Sequence, residues 1–272
     1  MIALNMVGRV ILGLWLVLVG ISHWTPLVPV TNGTGLAAEL SRAFADSGLT
    51  GIASALLIVA GLLILANRLT VLALLAGISV FTAGAYWAIL TAEALPILIV
   101  AATLGLSVLL LLGYWRYVGQ LLSMRATGLV ESGAEKNVAL RRLTIFSHYL
   151  WGGWWIISGL FHFITGPIIG TSPLAVQLIM ALLHTGMYEL IKAIEAIGGL
   201  AVLTRRWAPL LLAINVPITF VVVYWDTVLQ DPGHPIGLAV AVLTLGSTGF
   251  LLRNYREYLR PLLTWAPRSA GR

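Results

Sequence analysis

The sequence contains eight apolar runs, and each is close to the length that a helix needs to cross a lipid bilayer. About 20 helical residues span the roughly 30 Å hydrocarbon layer. Inside lipid every backbone N–H and C=O must find a partner within the protein, so such runs fold as helices. We therefore predict an all-α integral membrane protein with eight transmembrane helices. The runs cover residues 8–24, 49–66, 69–91, 95–115, 144–164, 187–204, 207–229 and 235–252.

The composition agrees with a membrane protein and excludes several kinds of site. Hydrophobic residues make up 59% of the 272 residues and charged residues only 10%, a balance that a polytopic membrane protein needs and a soluble enzyme does not. The chain has no cysteine, which excludes disulfides, thiolate metal sites and iron–sulfur clusters on this chain. Any redox work would therefore need a bound cofactor or substrate.

The basic residues indicate how the helices are oriented. In the eight-helix arrangement, all sixteen except Arg42 and Lys192 lie on one side of the membrane. Basic loops mark the cytoplasmic side, so both termini are predicted to be cytoplasmic, in what we expect to be a prokaryotic cytoplasmic membrane. The net charge of +6 is then a signal of topology. We expect the lipid bilayer and other membrane protein subunits as partners, and no nucleic acid.

The two halves of the chain resemble each other. Residues 51–87 align without a gap with residues 189–225, at a constant offset of 138 and with nine identities in 37 positions. Four helices per copy return the chain to the side where it started, so the sequence predicts two tandem parallel four-helix units. We expect a first unit at 1–118, a cytoplasmic linker at 119–141, and a second unit with a cytoplasmic tail at 142–272.

Each predicted unit also has a segment between its first two helices that is too polar or too short to span a bilayer. These segments are residues 34–47 and 172–185, and we expect each to form a helix at the outer surface. Ser172 and Pro173 are a favourable N-cap and first-turn pair. Gly186 stands where the chain must turn into the next transmembrane helix.

Three charged residues fall within the apolar run 187–204. Glu189, Lys192 and Glu195 follow one another at i, i+3 and i+6, which keeps them within about 120° of one helix face. An ionisable group inside a bilayer costs roughly 2.5–3.5 kcal/mol, so this face should turn toward other helices. The three residues either neutralise one another, since Lys192 lies one turn from each carboxylate, or form a ligand or proton site. We favour the site and assign catalytic roles to all three.

The second unit carries the distinctive polar residues. The three charged positions correspond to Gly51, Ser54 and Leu57 in the first unit, so we expect the second unit to be the working half. His162 has a counterpart in His23, which makes a shared structural hydrogen bond the alternative role for both. Packing in an aromatic belt is the alternative for Trp225. The residues that we expect to bind a cofactor are His162, His184, Tyr188, Trp225 and Asp226.

The predicted helices carry motifs of small and aromatic residues. The first helix of each unit contains GRVILGLWLVLVGISHW or GGWWIISGLFHF, and the second helix of the second unit contains IEAIGGLAVLTRRWAP. These stretches resemble the DoxX-like superfamily of four-helix membrane proteins, which includes the DoxD subunit of thiosulfate:quinone oxidoreductase. The resemblance covers most of both units and implies a quinone cofactor. Its glutamate-then-glycines pattern matches Glu195, Gly198 and Gly199, whereas the first unit has Leu57 in place of the glutamate.

We predict a quinone-reactive membrane subunit of a respiratory-type oxidoreductase, with its polar site in the second unit. An apolar chamber would take the isoprenoid tail, and histidine or carboxylate groups would exchange protons with the head group. A non-catalytic scaffold subunit of a larger complex is an alternative, and so is a transporter, although two unequal halves argue against it. A metal or haem site is a further alternative, although no HxxxH or ExxH pair supports it. Its ligands would be His162, His184, Glu189 and Asp226.

Overall fold

The described part of the chain is entirely helical. The structure is a computed structural model that describes residues 2–25, 27, 33–230 and 235–269. Across these ranges the chain forms α-helices, short 3₁₀ turns and a π-helical turn, without a strand. The predicted all-α class is therefore confirmed.

The helices form two compact units. Unit 1 consists of Met1–Gly119 and Pro261–Arg272, and unit 2 consists of Gln120–Arg260. Compared with the boundaries predicted from the sequence, most of the expected linker belongs to unit 2 and the end of the chain belongs to unit 1. Residues 120–135 follow the last long helix of unit 1 but belong to unit 2, and residues 261–272 follow the last long helix of unit 2 but belong to unit 1.

Hydrogen bonds explain this grouping. In unit 1 the backbone N–H of Leu69 donates to the carbonyl of Trp265 at 2.9 Å, and in unit 2 the N–H of Ala126 donates to the carbonyl of Arg205 at 3.2 Å. Leu69 has a φ of 46° and Arg205 a φ of 58°, so both bonds are made at left-handed turns between two helices. Such turns leave backbone groups without partners inside a helix, and the incoming segment satisfies them.

Unit 2 also anchors residues 131–135 through charge. Glu135 pairs with Arg253 and accepts a hydrogen bond from the backbone N–H of Asn137 at 2.9 Å. The Asn137 N–H and the Arg253 guanidinium hold the pKa of Glu135 below its usual value. This segment is therefore held on unit 2 most firmly when Glu135 is ionised.

Unit 1 consists of five long helices followed by a short one. A bend of 80° separates the second helix from the third. It occurs at Gly48, whose φ of 77° lies in the left-handed region that favours glycine. The helices are α1 (Ile2–Ile21), α2 (Gly35–Asp46), α3 (Leu49–Leu65), α4 (Thr70–Thr91), α5 (Ala94–Gly113) and α6 (Trp115–Val118).

Unit 2 has the same order of elements. Its second and third helices are bent by 90° at Gly186, with a φ of 78°. The Ser172 hydroxyl caps the second helix by accepting a hydrogen bond from Ala175 N–H, and Pro173 lies in its first turn, as predicted. The helices are α7 (Val138–Thr165), α8 (Pro173–Thr185), α9 (Met187–Thr204), α10 (Ala208–Tyr224), α11 (Pro235–Asn254) and α12 (Arg256–Leu259), with a π-helical turn at Trp225–Gln230.

Several of the helices fit a membrane environment. Within the described residues, four are long and apolar enough to cross a bilayer: α4, α5, α11 and the continuous helix Ala208–Gln230. The number is six if each bent pair, α2 with α3 and α8 with α9, is counted as one span. Large apolar side chains also point outward, including Leu98 and Leu109 of α5 at 65% and 67% exposure. These features are those of an integral membrane protein.

Small residues let α7 and α9 pack directly against each other. A Cβ atom built on Gly159 would lie 2.6 Å from the carbonyl oxygen of Lys192, and one built on Gly199 would lie 2.6 Å from that of Gly152. A real side chain does not fit at such distances, so the two helices are in backbone contact at both places. Small residues at a helix–helix contact permit this close approach. It brings the charged face of α9 against α7.

Candidate functional site

The innermost part of the site is a buried network between α7 and α9. The Lys192 Nζ lies 2.8 Å from Oε2 of Glu195 and donates to the Ser158 hydroxyl at 3.0 Å. The Ser158 hydroxyl in turn donates to the same Glu195 oxygen at 2.9 Å. The side chain of Glu195 is fully buried, and that of Lys192 is 11% exposed. The i, i+3 spacing on α9 puts both charges on the face that packs against α7.

The second carboxylate oxygen of Glu195 is not used by this network. Oε2 receives both hydrogen bonds, whereas Oε1 is buried and has no hydrogen-bond partner among the described residues. A buried polar atom left without a partner costs free energy on the order of 1–3 kcal/mol, and native proteins rarely tolerate one without a reason. Oε1 therefore remains available to accept a hydrogen bond from a group outside this network.

A second group of side chains lies about 9 Å along α9, toward its N-terminus, as six residues at 1.5 Å each predict. The Nε2 of His162 is 3.7 Å from Oε1 of Glu189. The ring of Tyr188 contacts that of His162 edge-on, at 4.7 Å between centroids. Lys192 Nζ lies 5.2 Å from the centre of the Tyr188 ring, so the aromatic ring connects this outer group to the inner network.

Exposure increases from the inner group to the outer one. The Glu195 side chain is fully buried, that of Lys192 is 11% exposed and that of Glu189 is 44% exposed. His162, which follows Ser158 by one turn of α7, is 10% exposed. Solvent exposure thus rises along this face of α9, from the inner network to the outer group.

Asp226 and Trp225 lie at the start of the π-helical turn. Asp226 is close enough to Lys192 for the two charges to interact, so it belongs to the same polar region. The indole N–H of Trp225 is buried and has no partner within the described ranges. Turns of π-helix are uncommon and occur often at functional sites. Nothing in the sequence indicated this one.

The far end of the π-helical turn is tied to the start of α8. Oε1 of Gln230 accepts a hydrogen bond from the Thr171 backbone N–H at 2.8 Å, and the Ser172 hydroxyl donates to the carbonyl of Leu229. These two bonds hold the start of α8 against the end of the π-helical turn. His184 lies in the last turn of that helix, next to the bend into α9.

Asn215 is a site residue that the sequence analysis missed. It is fully buried, and its Nδ2 donates to the carbonyl of Leu211 at 2.9 Å, while its Oδ1 has no partner in the described part of the chain. The side chain packs over Gly198, where any Cβ atom would overlap it. Gly198 is one turn from Glu195, so Asn215 adds a second buried acceptor beside the network. The sequence did contain one signal for Asn215, because the equivalent position of the first unit, at the offset of 138, is Gly77 and carries no polar side chain.

Two further buried donors and acceptors belong to the same unit. Trp155 lies on α7, one turn before Ser158, and is fully buried. Its indole N–H has no partner among the residues described. Thr219, one turn after Asn215 on α10, has a buried hydroxyl that also has no partner among the described residues. Unit 2 therefore has buried donors and acceptors without partners among the described residues on α7, α9 and α10.

The geometry does not bring the predicted metal ligands together. Among the residues that the structure describes, no group of three His, Asp or Glu side chains is arranged so that it could hold a metal ion. His162 and Glu189 form a pair, with no third side chain of this kind beside them in the described ranges. His234, a histidine near a turn in the sequence, lies outside the described residues.

The chain has no match among protein-family models, curated proteins or solved structures. The chemistry of the site is therefore inferred from its own residues.

Proposed function

We propose that this chain is a quinone-reactive membrane subunit of a respiratory-type oxidoreductase similar to the DoxX-like proteins. Its reactive site is the Ser158, Lys192 and Glu195 network of unit 2 with the outer group of His162 and Glu189. In this proposal the chain forms eight transmembrane helices in two tandem parallel units. Both termini face the cytoplasm, and other subunits supply the electron donor.

Several matched features support the duplicated architecture. Both units have a short helix joined to a long one by a sharp bend, at Gly48 and Gly186. Left-handed backbone recurs at Asn67 and Arg205, at the offset of 138 that relates the two sequences. The proposal adds α1 and α7 to the six spans counted above. At 28 residues, α7 is about 42 Å long, which is enough to cross a bilayer.

The observation that carries the proposal is the state of Glu195. One of its oxygens is held by a cation and a hydroxyl, and the other is buried without a partner. A purely structural ion pair has no need of an unsatisfied oxygen in a dry interior. A carboxylate held in place on one side and open on the other suits a group that takes or gives a proton.

Unit 2 contains buried donors and acceptors of the kinds that a quinone head group needs. A quinone carbonyl requires a donor, which the indole N–H groups of Trp155 and Trp225 offer, and a quinol hydroxyl requires an acceptor, which Glu195 Oε1 and Asn215 Oδ1 offer. A bound quinone supplies the two-electron, two-proton chemistry that the side chains of this chain lack. Lys192 keeps Glu195 oriented and offsets its charge.

The outer group gives a route for protons. Glu195 exchanges a proton inside the unit, and His162, with Glu189 beside it, connects this position to the more exposed end of α9. Histidine suits this relay because its ring can take up a proton at one nitrogen and release one from the other. The graded exposure of the series is what such a relay requires.

The proposal is tested by quinone binding to the purified protein and to Glu195→Gln. The amide keeps the shape of the side chain and can still accept bonds from Ser158 and Lys192, but it cannot carry a proton. We expect copurifying quinone in the wild-type protein. Affinity for a short-chain quinol, followed by tryptophan fluorescence, should fall by about tenfold in the variant, because the quinol hydroxyl then loses its hydrogen bond to a charged acceptor.

Glu93→Gln is the matched control. Glu93 is an exposed carboxylate of unit 1 that precedes α5 and caps nothing with its side chain, so this variant should bind quinone like the wild type. A wild-type protein that contains no quinone and binds none would end the proposal. A Glu195→Gln protein that melts normally and binds with unchanged affinity would show that any quinone site lies outside this network.

A further inference from the structure

Unit 1 contains a polar cavity that has no part in the proposed quinone chemistry. Its volume is about 260 Å³. It lies where the start of α1, the turn after α3 and the end of α5 meet the end of the chain. The polar residues that line it are Asn5, Arg9, Asn67, Tyr114, Arg268 and Ser269.

The cavity is positively charged. It is lined by two arginines, Arg9 and Arg268, and by no carboxylate among the residues described. The backbone N–H of Arg268 donates to the Tyr117 hydroxyl at 3.0 Å, which fixes this segment without using the guanidinium. Arg9 donates from its Nε to the carbonyl of Ile64 at 3.3 Å and also interacts with the Tyr114 hydroxyl. A guanidinium has five N–H groups, so others can still bind an anion.

The corresponding place in unit 2 already holds an anion. There Glu131 lies 3.4 Å from the Arg205 guanidinium and accepts a hydrogen bond from Asn254 Nδ2 at 3.4 Å. It is also close enough to His148 and Tyr255 for electrostatic interaction. The carboxylate is largely withdrawn from solvent, at 16% exposure. Unit 2 thus uses part of its own chain to neutralise this cluster.

Three residues that line the unit 1 cavity are equivalent in sequence to members of this unit 2 cluster. Arg9 corresponds to His148 at the offset of 139, and Tyr114 to Tyr255 at the offset of 141. Asn67 of the cavity corresponds in the same way to the arginine that binds Glu131, at the offset of 138. In unit 1 the positive charge is present, but no described residue supplies the anion.

We propose that the cavity of unit 1 binds a phosphate group, either that of an anionic phospholipid or free inorganic phosphate. Guanidinium groups bind phosphate through paired hydrogen bonds, and the amides of Asn5 and Asn67 add neutral donors. The volume is slightly below the roughly 300–1,000 Å³ of sites for whole small molecules, which suits a head group. Met6, which also lines the cavity, is 61% exposed and offers an apolar path for an acyl chain.

The test uses the full-length protein in detergent and the variant Arg268→Gln. Native mass spectrometry with phosphatidylglycerol or phosphatidylcholine measures lipid binding, and isothermal titration with inorganic phosphate measures the free ion. We expect one phosphatidylglycerol per chain, and about tenfold weaker binding in Arg268→Gln, the loss of roughly one charge-assisted contact. The substitution keeps the backbone bond to Tyr117, so the fold should persist. Arg9→Gln should give a similar loss.

Arg142→Gln is the control, because it removes an exposed positive charge from α7 without touching the cavity. Binding of phosphatidylglycerol that is lost in Arg268→Gln and kept in Arg142→Gln supports a lipid phosphate. Binding of inorganic phosphate with the same dependence, but no lipid, supports the free ion. Equal losses in both variants, or no binding of either ligand to the wild-type protein, would overturn the proposal, since the arginines would then act only as surface charge.

Discussion

Replacing Lys192 by methionine should destabilise unit 2 in a way that depends on pH. The change removes the ammonium that lies 2.8 Å from the Glu195 carboxylate. At that distance two unit charges attract by about 6 kcal/mol at an effective dielectric constant of 20. Methionine keeps most of the side-chain volume, so the loss is electrostatic. Breaking a buried ion pair on one side typically costs about 3–5 kcal/mol.

Protonation limits the cost. The carboxyl group of a glutamate has an ordinary pKa of about 4.3, and each pH unit above it adds about 1.4 kcal/mol to the cost of keeping the group neutral. In Lys192→Met, Glu195 escapes its unpaired charge by taking up a proton. The cost should therefore be about 3–4 kcal/mol at pH 7 and about 1 kcal/mol at pH 5.

The assay is unfolding in mixed micelles of the wild type, of Lys192→Met and of the double variant Lys192→Met with Glu195→Leu. The double variant resembles the first unit, where Leu57 occupies the glutamate position. It has no uncompensated charge, so it should recover most of the lost stability. The triple variant that adds Glu189→Gln should also fold, and it should lose quinone binding.

Two results would refute this reasoning. A Lys192→Met protein that loses less than about 1 kcal/mol at pH 7, with no change at pH 5, would mean that Lys192 does not neutralise Glu195. A triple variant that is stable and still binds quinone as well as the wild type would mean that the charged face of α9 is not the functional centre.

Three further outcomes are expected. Cysteine in place of Thr34 should be labelled from the outer side and cysteine in place of Ser132 from the cytoplasm, on a chain with no other cysteine, and the reverse pattern would contradict the topology. Gly159→Ala should cost about 1–3 kcal/mol in melting experiments because its Cβ would meet the backbone of α9, whereas Gly153→Ala, in open space, should cost nothing. The lowered pKa of Glu135 predicts that residues 126–135 are protected from amide hydrogen exchange at neutral pH and lose protection as the pH falls through that pKa. Glu135→Gln should remove this dependence, and a protection profile that stays the same in the variant would rule out the ion pair as its cause.

The sequence alone determined the class of structure and the face that carries the charges. Apolar runs of about 20 residues must form helices in lipid, and a spacing of three residues on a helix fixes one face whatever surrounds it. The turn at Gly186 was predictable for a similar local reason, because glycine readily adopts left-handed backbone. The asymmetry between Glu195 and Leu57 was also readable, because it is a comparison of one half of the sequence with the other.

The partners of the charged residues were decided only by the tertiary structure. Periodicity put Lys192 one turn from two glutamates, and packing selected Glu195 because the backbone contact at Gly159 brings the Ser158 hydroxyl to that side. Glu189 pairs with His162 instead. Asn215, two residues before a proline on another helix, gave no periodic signal, since its importance comes from the space left by Gly198.

The ends of the two units were likewise beyond the sequence. The sequence predicted a cytoplasmic linker that includes residues 120–135 and a cytoplasmic tail that includes residues 261–269. Composition does not say which helix ends will form hydrogen bonds with these segments. The left-handed turns at Leu69 and Arg205 leave backbone groups that only an incoming segment can satisfy. Where such a segment brought Glu131, the cluster of unit 2 was neutralised. Where it brought Arg268, a basic cavity was left, because the fold fixes the position of a segment while the sequence fixes the charge that it delivers.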